Sequence, residues 1–143
     1  MKVRTRSAGI VVVNRKDGEW RFLILRLYRN WEFPKGQIES GELPLEAALR
    51  ETKEETEIEQ LEFSWGQDTL DTPPYGAGKV ATYFVARTAQ RGVRLPINPE
   101  LGRAEHHDYR WASYSEARAL LPPRLLPVLD WAHDKIDRAP VSL

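Results

Sequence analysis

Residues 33–58 read FPKGQIESGELPLEAALRETKEETEI, with glutamates at positions 39, 42, 46, 51, 54, 55 and 57. The spacing from Leu43 to Thr56 predicts a helix. With Leu45 placed at 0° and 100° added per residue, Ala48, Leu49, Thr52 and Thr56 fall within about 60° of it, a face expected to pack on a sheet. Glu51, Glu54 and Glu55 fall at about 240°, 180° and 280° and share another face. Ala47, at about 200°, lies on that face one turn earlier and is expected to leave room above the carboxylates. Three acids within little more than one turn repel one another by roughly a few tenths of a kcal/mol per pair even in a bare helix. A hard divalent cation, Mg²⁺ or Mn²⁺, turns that repulsion into attraction, because both ions prefer carboxylate oxygen and water.

A glutamate-rich helix is more often a solvated acidic face than a metal site. The flanking residues decide between the two here. FPKG, residues 33–36, is a Pro-Gly turn with a lysine. It is expected to set the Gly36 carbonyl and the Lys35 ammonium beside the same carboxylates, and phosphate chemistry needs such a cation where a metal leaves negative charge uncovered.

Composition limits the rest. The 143 residues suffice for one domain with a single core, expected over 1–143. Twenty-one basic and 21 acidic residues cancel, so the overall charge calls for neither nucleic acid nor an anionic membrane. There is no cysteine, hence no disulfide framework and no thiolate metal site. No apolar run approaches the roughly 20 residues of a membrane span, and the first residues do not form a signal peptide. A soluble, cytoplasmic protein is expected, a monomer or a homodimer, with a small-molecule partner.

Strands are expected at Ala8–Val13 and Phe22–Leu27, joined by a hairpin at the Asp17-Gly18 pair. Three more are expected: LEFSWGQ, alternating Leu61, Phe63 and Trp65 on one face; KVATYFVAR at 79–87; and HDYRWAS, alternating His107, Tyr109 and Trp111. After the glutamate-rich helix, a second helix is expected at SEARALL with Ser113 or Ser115 as N-cap, and a third near Val128–Ile136 with Pro127 in its first turn. The Pro- and Gly-rich stretches DTLDTPPYGAG and RGVRLPINPELG read as long connections of the kind that often bind ligands. This order describes an α+β domain with helices packed on a mixed sheet.

The string Gly36, five residues, Glu42, seven residues, Arg50-Glu51, two residues, Glu54-Glu55 resembles the signature box of the Nudix hydrolases, here residues 36–58. WEFPKG before it and EHHDYRW followed by SEA after it are similar to that family's layout. The resemblance implies a mixed β-sheet sandwiched between α-helices, with the box as a loop-helix-loop catalytic segment. Two positions depart from the pattern. Thr52 stands where an aliphatic residue is usual, and Glu57 stands where glycine usually provides a left-handed helix exit. A residue with a Cβ costs up to about 1 kcal/mol more in that conformation.

The resemblance implies Glu51, Glu54 and Glu55 as ligands of Mg²⁺ or Mn²⁺, joined by Gly36, with Glu54 as the group that deprotonates or orients the attacking water. Arg50 is expected to hold the acidic cluster in register by ion pairs, with Glu42 and with Glu46 four residues before it. Glu105 precedes the strand where a number of Nudix enzymes carry an extra acidic ligand or base. Lys35 is expected to contact phosphate. Lys79 and Tyr83 lie in KVATYF, which is similar to a strand of diadenosine polyphosphate hydrolases that supplies a phosphate-binding lysine and an inward tyrosine. Tyr75, in the Pro-rich loop, is placed to stack on a base. His106 and His107 are adjacent on a strand and so are expected to point to opposite faces rather than share an ion. The expected activity is Mg²⁺-dependent hydrolysis of dinucleoside polyphosphates, such as diadenosine tetraphosphate to ATP and AMP. The alternatives are a house-cleaning hydrolase of oxidised nucleoside triphosphates, an inositol pyrophosphate hydrolase, an enzyme removing pyrophosphate from RNA ends, to which the balanced charge gives little support, or a non-catalytic nucleotide-binding module.

Overall fold

A computed structural model describes residues 3–138; the ends of the expected domain, 1–2 and 139–143, lie outside the described residues. Two long strands, β1 (Thr5–Lys16) and β2 (Glu19–Leu27), form a hairpin closed at Asp17 and Gly18, both with positive φ. That is the backbone a two-residue hairpin turn requires, and the Asp-Gly pair supplies it. Two short strands follow, β3 (Asn30–Glu32) and β4 (Lys35–Gln37), and then helix α1 (Pro44–Thr56). Beyond it come β5 (Leu70–Asp71), β6 (Lys79–Arg87), the small hairpin β7 (Ile97–Asn98) and β8 (Arg103–Ala104), β9 (Asp108–Ala112), α2 (Tyr114–Leu120), a 3₁₀ turn at Pro123–Leu125, and α3 (Leu126–Ile136).

The main sheet is mixed. β1 runs parallel to β6 along one edge, from Thr5 opposite Lys79 to Val13 opposite Arg87. Its other edge is divided: Val13–Lys16 pair with β2, whereas Ser7–Gly9 pair with β4. β2 continues outward to β3 and β9, and β6 to β5. Buried on both faces, β1 is apolar without interruption from Ile10 to Val13, as a central strand must be. Ala8, Ile10 and Val12 face α1 with Leu23, Leu25, Phe84 and Ala86. Val11 and Val13 face the opposite layer with Phe22, Ile24, Tyr83, Val85 and the apolar positions of α2 and α3. Leu125, Leu129 and Ala132 close that second core as expected. Ser113 caps α2, its hydroxyl accepting from the Glu116 N–H while the Glu116 carboxylate accepts from the Ser113 N–H.

Three local readings are corrected. LEFSWGQ is not a strand; only Glu62 bridges, to Arg87. Leu61 and Phe63 pack in the α1 layer, but a turn closed from the Gly66 N–H to the Phe63 carbonyl sends Trp65 into the other core, edge-on to Trp20 at 5.3 Å. On α1 the buried face is rotated from the expected one: Leu49 is exposed, while Ala47 is wholly buried in the core. The rotation brings Glu55 beneath the helix. The two Pro- and Gly-rich connections also contain short strands, β5 in one and β7 in the other.

Candidate active site

The divided edge of β1 is what positions the site. Where β4 replaces β2 along that edge, the chain turns at Phe33–Pro34 and delivers Lys35 and Gly36 against the C-terminal half of α1. The Lys35 N–H donates to Glu55 Oε1 at 3.0 Å. Gly36 is needed for space, since a Cβ built on it would coincide with the carboxylate of Glu51. The loop and the helix are therefore joined at both acids.

The three glutamates of α1 sit at graded depth. Glu55 is 6 % exposed, the Glu51 side chain 16 % and that of Glu54 57 %. Burial, with Glu105 and Glu32 adding like charge, pushes the Glu55 carboxyl well above the usual carboxylate range against the opposing pull of the Lys35 N–H. Burial likewise raises Glu51, assisted by Glu54 and Glu105 and opposed by Arg50. Carboxylates raised by burial and by one another are what a site built for a cation looks like before the cation arrives.

Arg50 organises the exposed side of this cluster. Its Nε and Nη2 donate to the two oxygens of Glu42 at 2.7 and 3.0 Å, its Nη1 to Glu51 at 2.8 Å and to Glu54 at 3.3 Å, and its Nη2 to the Gln37 carbonyl at 3.1 Å. The fork on Glu42, together with the Glu39 N–H, lowers the Glu42 carboxyl to about 2. Arg50 thus ties loop to helix, as expected. Glu46 does not join it; its carboxylate accepts from the Leu43 N–H at 2.9 Å and caps the start of α1. The helix ends at Glu57 with φ 61° and ψ 16°, its N–H bonded to the Lys53 carbonyl. The left-handed exit usually given to glycine is retained without it. Thr52 is buried as its position on the helix demands, with no partner for its hydroxyl among the described residues.

Glu105 arrives from the segment before β9. Oxygens of Glu55 and Glu105 and a ring nitrogen of His106 all lie within 4.8 Å of one another. His107 turns the other way, its Nδ1 accepting from the Tyr28 N–H and its ring edge-on to Tyr28. The two histidines part as expected, yet the sequence reading gave His106 no place at the site. It also passed over Glu32, whose Oε2 lies 2.7 Å from His106 Nε2 and whose Oε1 lies 3.9 Å from Lys35 Nζ. The available signal was Glu32 itself, a carboxylate between the core aromatics Trp31 and Phe33. The acids and the 95–100 segment line an open cleft of about 1230 Å³, above the range of about 300–1,000 Å³ usual for small-ligand pockets.

The other predicted residues lie around the sheet rather than in that acidic cleft. Tyr83 is fully buried, edge-on to Phe33 at 5.6 Å, and its hydroxyl has no hydrogen-bond partner among the described residues. Lys79 is exposed on the same face of β6, four residues or about 13 Å from Tyr83. Tyr75 pairs with Lys79 through reciprocal backbone bonds, and Arg124 of the 3₁₀ turn lies over its ring at 4.7 Å.

The family model for the NUDIX domain matches residues 3–132. A bis(5'-nucleosyl)-tetraphosphatase [asymmetrical] from Caenorhabditis elegans is 30 % identical over 118 residues, covering 78 % of this chain and 81 % of that protein. An RNA pyrophosphohydrolase from Bartonella henselae is 38 % identical over 128 residues, covering 74 % of each. Among solved structures, a C. elegans Ap4A hydrolase binary complex superposes with a TM-score of 0.76 at 26 % identity, covering 92 % of this chain and 98 % of that one. A mixed sheet between helices, a glycine that admits a glutamate, and an arginine-braced acidic cluster thus meet in one chain that belongs to the Nudix family, a hydrolase of phosphoanhydride bonds.

Proposed function

We propose that this chain is a Mg²⁺- or Mn²⁺-dependent pyrophosphohydrolase of dinucleoside polyphosphates, cutting diadenosine tetraphosphate asymmetrically to ATP and AMP. One observation carries the metal-dependent part: Glu55 and Glu105 are brought together with Glu51 close enough to repel both, Arg50 offsets charge at Glu51, and burial makes that arrangement costly without a cation. Glutamate oxygens, with the Gly36 carbonyl as a proposed further donor, fit a hard divalent ion. When bound, that ion supplies charge neutralisation for the polyphosphate and Lewis acidity at the phosphorus under attack.

The chain's own residues do the rest. Glu54, the most exposed of the three helix acids, takes the proton of the attacking water. Arg50 keeps Glu51 and Glu54 aimed through a fork anchored on Glu42. Lys35 covers charge on the phosphates. Lys79, four residues before Tyr83 on β6, supplies a second cation, and Tyr75 offers a ring face to a base. Two lysines on different strands, Lys35 on β4 and Lys79 on β6, and the similarity to an asymmetrical tetraphosphatase support a long substrate. The Bartonella relative supports a second reading, removal of pyrophosphate from RNA 5' ends.

The test is product analysis by chromatography over a panel: diadenosine tri-, tetra- and pentaphosphate, canonical and oxidised nucleoside triphosphates, and a 5'-triphosphorylated RNA oligonucleotide. The tetraphosphate and longer dinucleotides should turn over fastest. Lys79→Ala should slow those substrates by roughly ten- to a hundredfold, the equivalent of about 1.5–3 kcal/mol for a charged hydrogen bond, and leave triphosphates little changed. Turnover of the RNA alone would establish the second reading. Robust cleavage of an oxidised triphosphate with none of any dinucleotide would make the enzyme a house-cleaning one, and tight binding without turnover would make it a sensor.

A further inference from the structure

The glutamates of α1 are not the whole of the donor set. His106 is 2 % exposed. Its Nε2 is held at 2.7 Å by the Glu32 carboxylate, and its Nδ1 is buried with no partner among the described residues. A neutral imidazole that donates Nε2–H to Glu32 presents a lone pair on Nδ1, and a ring whose far nitrogen is fixed by a carboxylate is the usual setting of a metal-ligating histidine. The ring lies with Glu55 and Glu105 in the group whose ligand atoms are within 4.8 Å of one another. A buried Nδ1 without a partner forfeits a hydrogen bond unless a ligand takes it.

We propose that His106, oriented by Glu32, joins Glu55 and Glu105 as the nitrogen donor of a mixed nitrogen-oxygen cation site, one that favours Mn²⁺ and similar transition ions over Mg²⁺. The preference follows from ligand chemistry: imidazole suits first-row transition metals, whereas Mg²⁺ takes oxygen donors. Glu32 is then a positioning residue that acts through the ring. The proposal rests on the metal-dependent reading above and adds to it the donor set and the ion selected.

The test uses Mn²⁺ alone with the full chain, without substrate. Electron spin echo spectra of the Mn²⁺-loaded protein should show nitrogen modulation from a coordinated imidazole. Labelling the histidines with ¹⁵N should change that modulation to the ¹⁵N pattern, and His107→Gln should leave it intact because His107 faces Tyr28. His106→Gln should abolish it and lower the ratio of Mn²⁺ to Mg²⁺ affinity about tenfold, while Mn²⁺ still binds. The isotope arm needs no change at position 106, so it decides the matter even if that variant does not fold. Bound Mn²⁺ without nitrogen modulation, or modulation that survives His106→Gln, would overturn this proposal and leave the metal-dependent reading standing. Failure of Mn²⁺ to bind at all would overturn both.

Discussion

The carboxylate of Glu51 fills the volume in which a side chain on Gly36 would begin. Loop and helix are thereby packed acid against backbone, and a Cβ at this position meets the carboxylate end of Glu51. Gly36→Ala should still fold, because the atoms in its way are the far end of a flexible side chain. It should lose at least about tenfold in kcat as Glu51 is pushed from the cluster, the scale expected when a positioned group moves by about 1 Å. Steady-state kinetics with a parallel thermal melt would check this; full activity would show that Glu51 is not held by this contact.

Glu54→Gln and Glu55→Gln should each reduce turnover at least about a hundredfold, the scale of losing a metal ligand or a proton acceptor. Both should melt cooperatively near the parent. They should differ in chelator: Glu55→Gln keeps an oxygen for the Lys35 N–H while removing a buried charge repelled by Glu105 and Glu32, so its Tm without metal should rise above the parent's. Glu54 is exposed, and its variant should show no such gain. A fall in Tm for Glu55→Gln would mean the buried carboxylate is stabilising in the absence of a cation.

Glu57→Gly should be neutral or stabilising by up to about 1 kcal/mol, because glycine adopts the left-handed conformation at lower cost. Glu57 already has that conformation and closes α1 through its N–H. Denaturant melts of the two proteins would measure the difference, and a clear loss of stability would show that the Glu57 side chain contributes more than its backbone strain costs.

Acid should expose the Arg50–Glu42 fork. The Glu42 carboxyl is lowered from 4.5 to about 2, chiefly by its hydrogen bonds from Arg50 and the Glu39 N–H. A carboxyl depressed on folding gives stability that is fully present above its unfolded value and lost as pH falls through its folded one. Parent stability should therefore decline between about pH 4.5 and about pH 2, and Glu42→Gln should decline less steeply over that window. Equal slopes in urea titrations at stepped pH would rule out a contribution from this pair.

Much of this was legible in the sequence because short-range rules governed it. The Asp17-Gly18 turn, the cap at Ser113 and the helix bearing Glu51, Glu54 and Glu55 all follow from local spacing and turn chemistry. Arg50 was readable as a brace, and of its two expected partners Glu42 across the loop pairs with it while Glu46 one turn back does not. What the sequence withheld depends on distant packing. Leu61, Phe63 and Trp65 alternate like a strand, yet a turn at Gly66 divides them between two cores. Leu49 looked like a core residue and Ala47 like a pocket floor, because the rotation of α1 is set by its contact with β1 and β4 rather than by its own apolar stripe. Glu32 and His106 are 74 residues apart and gain meaning only when β3 and the segment before β9 meet.

The most direct test of the central claim is hydrolysis of diadenosine tetraphosphate in ¹⁸O-labelled water with Mg²⁺, with mass analysis of both products. Attack at the terminal phosphorus by a water activated in the acidic cleft predicts AMP carrying the label, unlabelled ATP in equal amount, and no reaction in chelator. Two molecules of ADP, label in ATP, or an intact substrate beside efficient turnover of another nucleotide would contradict it.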